Sequence, residues 1–315
     1  MVHGPGGVEP QAKVIAYEGY SKAYGRKERP AVQDLSLSVN NGEILGLVGL
    51  NGAGKTTMLR AAAGLLLPTS GTVRMDGHDI VRDKVAASRT LGIVPEFPNF
   101  EPSASALDLL EYLGGYHGLA GDAFRAHALA LLTKVGLTGN EGRKVGTFSQ
   151  GMKKRFALAA ALLAHPRNLL LDEILNGLDP EGIRFVRRLL LELRAEGAAI
   201  LLSSHILSEV ESVADRIAVL HKGRLLECVP LKDIYASRAV RLRVRIRNPS
   251  PEVAAYLSSV GPVEREGESF SIAQPHGEVW EVNTELVRRG AQVAEIRMDR
   301  EDLESYFFRT IGEEP

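Results

Sequence analysis

The chain has 315 residues, enough for about two domains. With 38 Lys and Arg against 39 Asp and Glu, its net charge of −1 excludes a global electrostatic pull toward nucleic acid or anionic lipid. Cys228 is the single cysteine, which excludes an internal disulfide or a cysteine metal cluster and suits a reducing compartment. The longest apolar run, Phe156 to Ala164, falls far short of the ~18 residues of a membrane span. The opening MVHGPGGVEPQAK has no apolar signal core, so residues 1–12 are expected to be a disordered tail. Any membrane role is then expected to come through a partner.

In chain order, Lys13 to Glu18 and Val32 to Val39 are predicted strands flanking a loop, Ser21 to Pro30, rich in Gly, Lys and Arg. The second strand alternates Leu35, Leu37 and Val39 with Asp34, Ser36 and Ser38, as a half-exposed antiparallel strand does. Glu43 to Val48 reads as a buried strand. It runs into Gly49-Leu50-Asn51-Gly52-Ala53-Gly54-Lys55-Thr56-Thr57 and then a helix, Lys55 to Leu67. This matches the phosphate-loop pattern G-x-x-x-x-G-K-[ST] in the strand-to-helix context it requires. Glycines let the backbone curl until successive N–H groups point inward. The helix start adds unpaired N–H groups and about half a positive charge. Lys55 supplies a mobile cation for the β- and γ-phosphates, and the Thr56 hydroxyl is a hard oxygen ligand for Mg²⁺. A Gly-rich turn with a solvated lysine is the competing reading, outweighed by the full pattern and its flanks.

Gly71 to Met75 and Leu91 to Val94 are further short strands. From Ser103 to His165 strand signals nearly vanish. Leu107, Leu109, Leu110 and Leu113 mark one helix, Ala126 to Val135 a second and Gly151 to Leu163 a third. Strands return at Asn168 to Leu171, Ala198 to Leu202 and Arg216 to Leu220, alternating with helices Pro180 to Ala195 and Ile206 to Ala214. That alternation predicts a mainly parallel sheet with a helical insert. Ligand sites in such sheets gather at strand carboxyl ends. Asp172, ending one of them, is therefore expected beside a metal held by Thr56. The following Glu173 can face a water in line with the γ-phosphorus and act as its general base.

After Pro230 a second domain begins. Val240 to Ile246 alternates apolar residues with Arg241, Arg243, Arg245 and Arg247. A helix (Pro251 to Ser259), strands near Pro262 to Glu266 and at Ser269 to Ala273, a helix (Glu278 to Arg289), a strand (Gln292 to Arg297) and a closing helix (Glu301 to Arg309) follow. The order βαββαβ-α predicts a ferredoxin-like split βαβ unit. The arginine ladder reads as the wet face of a strand rather than an anion or nucleic-acid surface, and it asks for a carboxylate-bearing neighbour.

Residues 13–228 resemble the nucleotide-binding subunit of an ABC transporter. Phe148-Ser149-Gln150-Gly151-Met152-Lys153-Lys154-Arg155 occupies the family's signature position at the start of a helix. The resemblance implies that Ser149, Gly151 and that helix N-terminus contact the γ-phosphate held by the other subunit of a head-to-tail dimer. Taken alone, Ser149 reads as an ordinary N-cap. Asn176-Gly177-Leu178-Asp179 matches the loop that crosses the dimer, and His205 matches the histidine that senses the γ-phosphate. Tyr24 matches the aromatic that stacks on adenine. Three departures stand out. Glu96 replaces the usual glutamine and is still able to ligate Mg²⁺ or position a water. Ile174-Leu175 replace a proline-containing pair, which loosens the expected approach of the following loop. Gln150 and Met152 replace Gly and Gln. Glu96, the altered signature and the tail Asp302 to Arg309 resemble the drug and polysaccharide export subgroup.

The implied fold is α/β: a P-loop NTPase of the ABC type over 13–228, with a helical subdomain at about 101–165 and a small C-terminal α+β accessory domain over 229–315. The implied cofactors are ATP and Mg²⁺. ATP contacts are expected from Tyr24, Gly49, Asn51, Gly52, Ala53, Gly54, Lys55, Thr56, Thr57, Glu96, Ser149, Gln150, Gly151 and Asp179, metal ligation from Thr56, Asp172 and Glu96, and catalysis from Glu173, His205 and Lys55. The implied function is the ATP-hydrolysing subunit of an exporter, cytoplasmic and peripheral to the inner face of the membrane. It pairs with a second copy or a paralogue and drives a transmembrane permease, with Phe97 and Phe100 as candidates for gripping it. No nucleic acid is expected. A soluble ABC-type ATPase working on nucleic acid or the ribosome is the main alternative. Such proteins usually carry two ATPase domains in one chain, long coiled coils or metal-binding cysteines, and the sequence has none. A binding-only regulatory module is the other; Lys55, Thr56, Asp172, Glu173 and His205 argue against it.

Overall fold

The computed structural model describes residues 13–25, 29–237, 240–300 and 303–312, so the expected tail over 1–12 lies outside the described residues. The chain divides into two compact units, one up to Leu231 and one from Lys232 onward. The first contains β1 (Lys13–Lys22), β2 (Val32–Asn40), β3 (Ile44–Val48), α1 (Lys55–Ala62), β4 (Ser70–Met75), β5 (His78–Asp79), α2 (Lys84–Arg89) and β6 (Leu91–Val94). The helical insert follows as α3 (Ala106–Gly115), α4 (Asp122–Lys134) and α5 (Gln150–Leu162). The unit continues with β7 (Asn168–Asp172), α6 (Pro180–Ala195), β8 (Ala199–Ser204), α7 (Leu207–Glu211), β9 (Arg216–His221) and β10 (Arg224–Pro230).

A six-stranded sheet of order β10-β9-β3-β8-β7-β6 forms the centre. All its pairings are parallel except the β9–β10 hairpin at the edge. Its inner strands are continuous apolar runs because both faces are covered, and successive side chains go to opposite sides. Thus Leu169 and Leu171 join a core with the insert helices and α6, while Leu170 joins a second core toward the antiparallel sheet β2-β1-β4-β5. Ile200 and Leu202 against Leu201, and Ile44 against Leu45, divide the same way. Strand β2 buries Leu35, Leu37 and Val39 and leaves Asp34 and Ser36 exposed, the expected alternation.

Helix α1 ends at Ala62 rather than Leu67, α4 begins at Asp122 rather than Ala126, and β1 and α7 also differ from the sequence reading in extent. Strand β1 continues past Glu18 because Gly19, at φ 57°, shifts the register and lets the strand carry on through Tyr20 to Lys22. Helix α7 stops at Glu211, not Ala214, because the backbone must turn back into β9, with Asp215 N–H bonded to the Ile44 carbonyl. The approach of α7 to β3 depends on Gly46, where a Cβ would stand 2.1 Å from Val210 Cγ1.

The second unit takes in most of α8 (Leu231–Ser237), then β11 (Val240–Arg247), α9 (Pro251–Val260), β12 (Val263–Glu266), β13 (Ser269–Ala273), α10 (Val279–Arg288), β14 (Gln292–Arg300) and α11 (Leu303–Ile311). Its sheet order β12-β13-β11-β14 is wholly antiparallel, with the first and third strands of the βαββαβ unit, β11 and β13, as central neighbours, the ferredoxin-like arrangement. Leu242, Val244 and Ile246 of β11 pack with Val253 and Leu257 of α9 and with Val282 and Leu286 of α10. The opposite face of β11 carries the arginines. Arg241 pairs at 2.8 Å with Glu264 of β12, two strands away, and Arg245 at 3.5 Å with Glu295 of the adjacent β14, so other strands of the sheet supply carboxylates to the ladder. Such exposed pairs contribute only ~0–1 kcal/mol each, and the apolar face holds the unit together.

Truncating Leu171→Ala removes a fully buried side chain from the parallel sheet. It is expected to cost about 2–5 kcal/mol in the urea unfolding of the first unit, far more than Arg245→Ala costs the second.

Candidate functional site

Strand β3 ends at Val48 and the chain turns through Gly49 to Gly54 into α1. Gly52 (φ 79°) and Gly54 (φ 110°) hold left-handed backbone, and a Cβ on Gly54 would lie 2.7 Å from the Ala31 carbonyl oxygen. Asn51 and Gly52 are exposed and Ala53 is buried beneath them. No side chain caps α1 and no acid occupies its first turn, so no side chain of the helix offsets the positive end of its dipole. Lys55 is buried, and its Nζ donates to the Gly49 carbonyl at 2.7 Å, curling back under the loop.

Parallel pairing places Val48 opposite Ser204 and Asp172 opposite Ser203, so three strand ends meet beside the loop. Thr56 Oγ1 lies 3.5 Å from Asp172 Oδ1. Ser203 Oγ donates to the same Asp172 oxygen at 2.6 Å and accepts from the Glu173 N–H at 3.1 Å. Glu173 is buried, with left-handed backbone at φ 49°. Its carboxylate lies 3.9 Å from Lys55 Nζ and accepts from His205 Nδ1 at 2.9 Å. His205 remains partly open to solvent. Burial pulls the Lys55 pKa below its usual value, against the opposing pull of Glu173, Asp172 and Glu96.

A cavity of about 190 Å³ is lined by Thr56, Asp172 and Glu96, with exposed Leu65, Ile93 and Phe97 at its apolar side. These three oxygen-bearing side chains are the hard donors that suit Mg²⁺. Phe97 is 72% exposed, whereas Phe100 packs inward, edge-on to Phe156 at 4.8 Å. Tyr24 is exposed, its hydroxyl shares a hydrogen bond with Thr57 Oγ1 at 3.2 Å, and the Lys22 ammonium stands over its ring at 5.5 Å. The candidates from Tyr24, the loop, Glu96, Asp172, Glu173 and His205 therefore form one constellation.

Ser149, Gln150 and Gly151 form a second group. Ser149 caps α5 by accepting from the Met152 N–H at 3.3 Å. The missing Cβ of Gly151 would sit 3.4 Å from Leu178, and that of Gly177 3.6 Å from Gln150 Oε1. Asp179 caps α6 by accepting from the Gly182 N–H at 3.0 Å. Ile174 and Leu175, which replace the family's proline-containing pair, are fully buried in the insert-side core.

Sequence reading did not single out two residues at the centre of the site. Ser203 lies two residues before His205, and strand register makes it the direct neighbour of Asp172. Lys154 sat unnoticed within three consecutive basic residues, yet it is buried. It shares the i, i+4, i+8 stripe of α5 with Leu158 and Leu162, a spacing visible in the sequence. Burial lowers its pKa, opposed by Glu173, Glu96, Glu209 and Asp172.

A family model described as ABC transporter matches residues 32–176. The bacitracin transport ATP-binding protein of Bacillus licheniformis is 34% identical over 304 residues, covering 95% of this chain and 97% of that protein. The Nod factor export ATP-binding protein I of Paraburkholderia xenovorans is 38% identical over 215 residues, covering 68% of this chain and 70% of that protein. A solved structure of an ATP-binding subunit of an ABC transporter superposes with a TM-score of 0.65 at 29% identity, covering 71% of this chain and 92% of that one.

Ser203→Ala leaves Asp172 Oδ1 without its 2.6 Å hydroxyl donor and leaves the Glu173 N–H only the Ser203 carbonyl at 3.2 Å. A loss of about 1–3 kcal/mol in urea unfolding is expected.

Proposed function

This chain belongs to the ABC transporter family as an ATP-binding, ATP-hydrolysing subunit, and from that premise we propose that it powers an exporter through closure of a head-to-tail dimer on ATP. The observation that carries this reading is the convergence of Lys55, Asp172, Glu173 and His205 at the carboxyl edge of one parallel sheet. Transport is supported by the bacitracin transport relative, and its outward direction by the Nod factor export relative.

In the proposed site the loop N–H groups from Gly49 to Thr57 and the N-terminus of α1 take the phosphates. Lys55 then leaves its loop carbonyl for the β- and γ-oxygens. Tyr24 offers its open face to the adenine. Mg²⁺, when bound to Thr56, Asp172 and Glu96, supplies charge neutralisation at the phosphate oxygens. Glu173 takes the proton from the attacking water, and His205 holds its carboxylate in place through the Nδ1 hydrogen bond. Ser149, Gly151 and the start of α5 approach the γ-phosphate of the partner subunit, with Asp179 near the crossing loop. Hydrolysis therefore requires two copies.

No helix among the described residues is long and apolar enough to cross a membrane. Closure and reopening are therefore proposed to move a separate permease, with this chain docked at the inner face of the membrane. Phe97, exposed beside Glu96, is the residue proposed to grip it.

Glu173→Gln is expected to lower single-turnover hydrolysis by about 10²–10⁴-fold while ATP still binds; an unchanged rate would remove Glu173 as the base. With ATP the same variant is expected to sediment as a dimer. Lys55→Ala is expected to weaken ATP binding roughly tenfold or more, read by fluorescence titration. Phe97→Ala is expected to lower transport-coupled turnover in the assembled complex and to leave the isolated chain's turnover unchanged.

A further inference from the structure

Lysine is almost never fully buried unless its ammonium finds partners. Lys154, buried on α5, finds two backbone carbonyls: its Nζ donates to Glu173 O at 2.6 Å and to Asn176 O at 2.5 Å. Both belong to the turn that leaves β7. That turn starts from the left-handed backbone of Glu173 and is closed by the Asn176 N–H on the same Glu173 carbonyl at 3.2 Å. The Glu173 residue is thus held at both ends. Ser203 of β8 fixes its N–H, and Lys154 of α5 fixes its carbonyl. Between the two tethered carbonyls lie Ile174 and Leu175, both buried without a proline to stiffen them.

We propose that Lys154 is a positioning residue that ties helix α5, and with it the Ser149–Gly151 end, to the backbone of Glu173, so that a shift of α5 is felt as a shift of the carboxylate. This rests on the reading of Glu173 as the general base. The hydrogen bonds of the lysine go to these two carbonyls, while its charge also faces Glu173, Glu96, Glu209 and Asp172. A movement of α5 along its axis pulls Glu173 O and Asn176 O together, which moves the base and the crossing loop as one body. A carboxylate misplaced by about 1 Å costs on the order of 100-fold in rate.

The test uses the full chain and counts ATP-occupied sites before measuring single-turnover hydrolysis per site. Lys154→Met keeps length and removes the donors. It is expected to lower the rate constant about 10–100-fold, with the KM for ATP within about threefold of the parent. Lys154→Gln keeps N–H donors and is expected to recover part of that loss. In a Glu173→Gln background, Lys154→Met is expected to add little, because both act through one group. A purely structural role would instead lower the number of occupied sites and add its loss to that of Glu173→Gln. A Lys154→Met rate constant within twofold of the parent overturns the proposal, as does full additivity. If Lys154→Met does not fold, the Lys154→Gln rate and its additivity decide by the same criteria, a parental rate overturning the proposal. The base assignment fails separately: Glu173→Gln would then turn over at the parental rate whatever Lys154 carries.

Discussion

Hydrogen-bond register among β3, β8 and β7 sets the site. Because these strands run parallel, their carboxyl ends share one edge, and pairing of Val48 with Ser204 and of Asp172 with Ser203 brings a loop, two acids and a histidine within reach of one another. A shift of one residue in β7 would turn Leu169 and Leu171 to the other core and carry Asp172 away from Ser203. Full burial of both faces makes such a slip costly. The same apolar runs that stabilise the sheet therefore also hold the reactive groups in place.

Around that edge the electrostatics are tightly balanced. Two ammonium groups, Lys55 and Lys154, are buried among Asp172, Glu173, Glu96 and Glu209. Burial pulls both lysines toward neutrality and raises the Glu209 pKa, while the opposite charges counter it for the lysines. Each lysine also satisfies its donors on backbone carbonyls, Lys55 on the loop and Lys154 on the turn after β7. The two cations thus fix backbone on either side of the same carboxylate.

Much of this was legible in the sequence because it depends on short-range patterns. The glycines and Lys55 of the loop, the apolar run ending in Asp172-Glu173, and the 3.6-residue pattern of α6 each lie within one element. The ferredoxin-like order followed from the succession of elements alone. What escaped depends on distant partners. Strand β10 mixes Leu225, Glu227 and Val229 with no clean alternation and is a strand only because β9 pairs with it. Strand β5 is two residues long and α2 six. Ser203 gains its place from a strand 31 positions away, and the burial of Lys154 follows from the turn packed over it. Phe97 and Phe100 look alike in sequence, and only packing separates the outward ring from the inward one.

Ser149 begins α5 by accepting a hydrogen bond from the Met152 N–H. A hydroxyl that spends a lone pair on its own helix retains its one hydrogen, and at an exposed position that hydrogen is able to swing outward. Capping and donation thus use opposite poles of a single oxygen. A negatively charged oxygen placed there would meet a donor whose oxygen the cap already holds, and alanine at this position would remove both the cap and the donor.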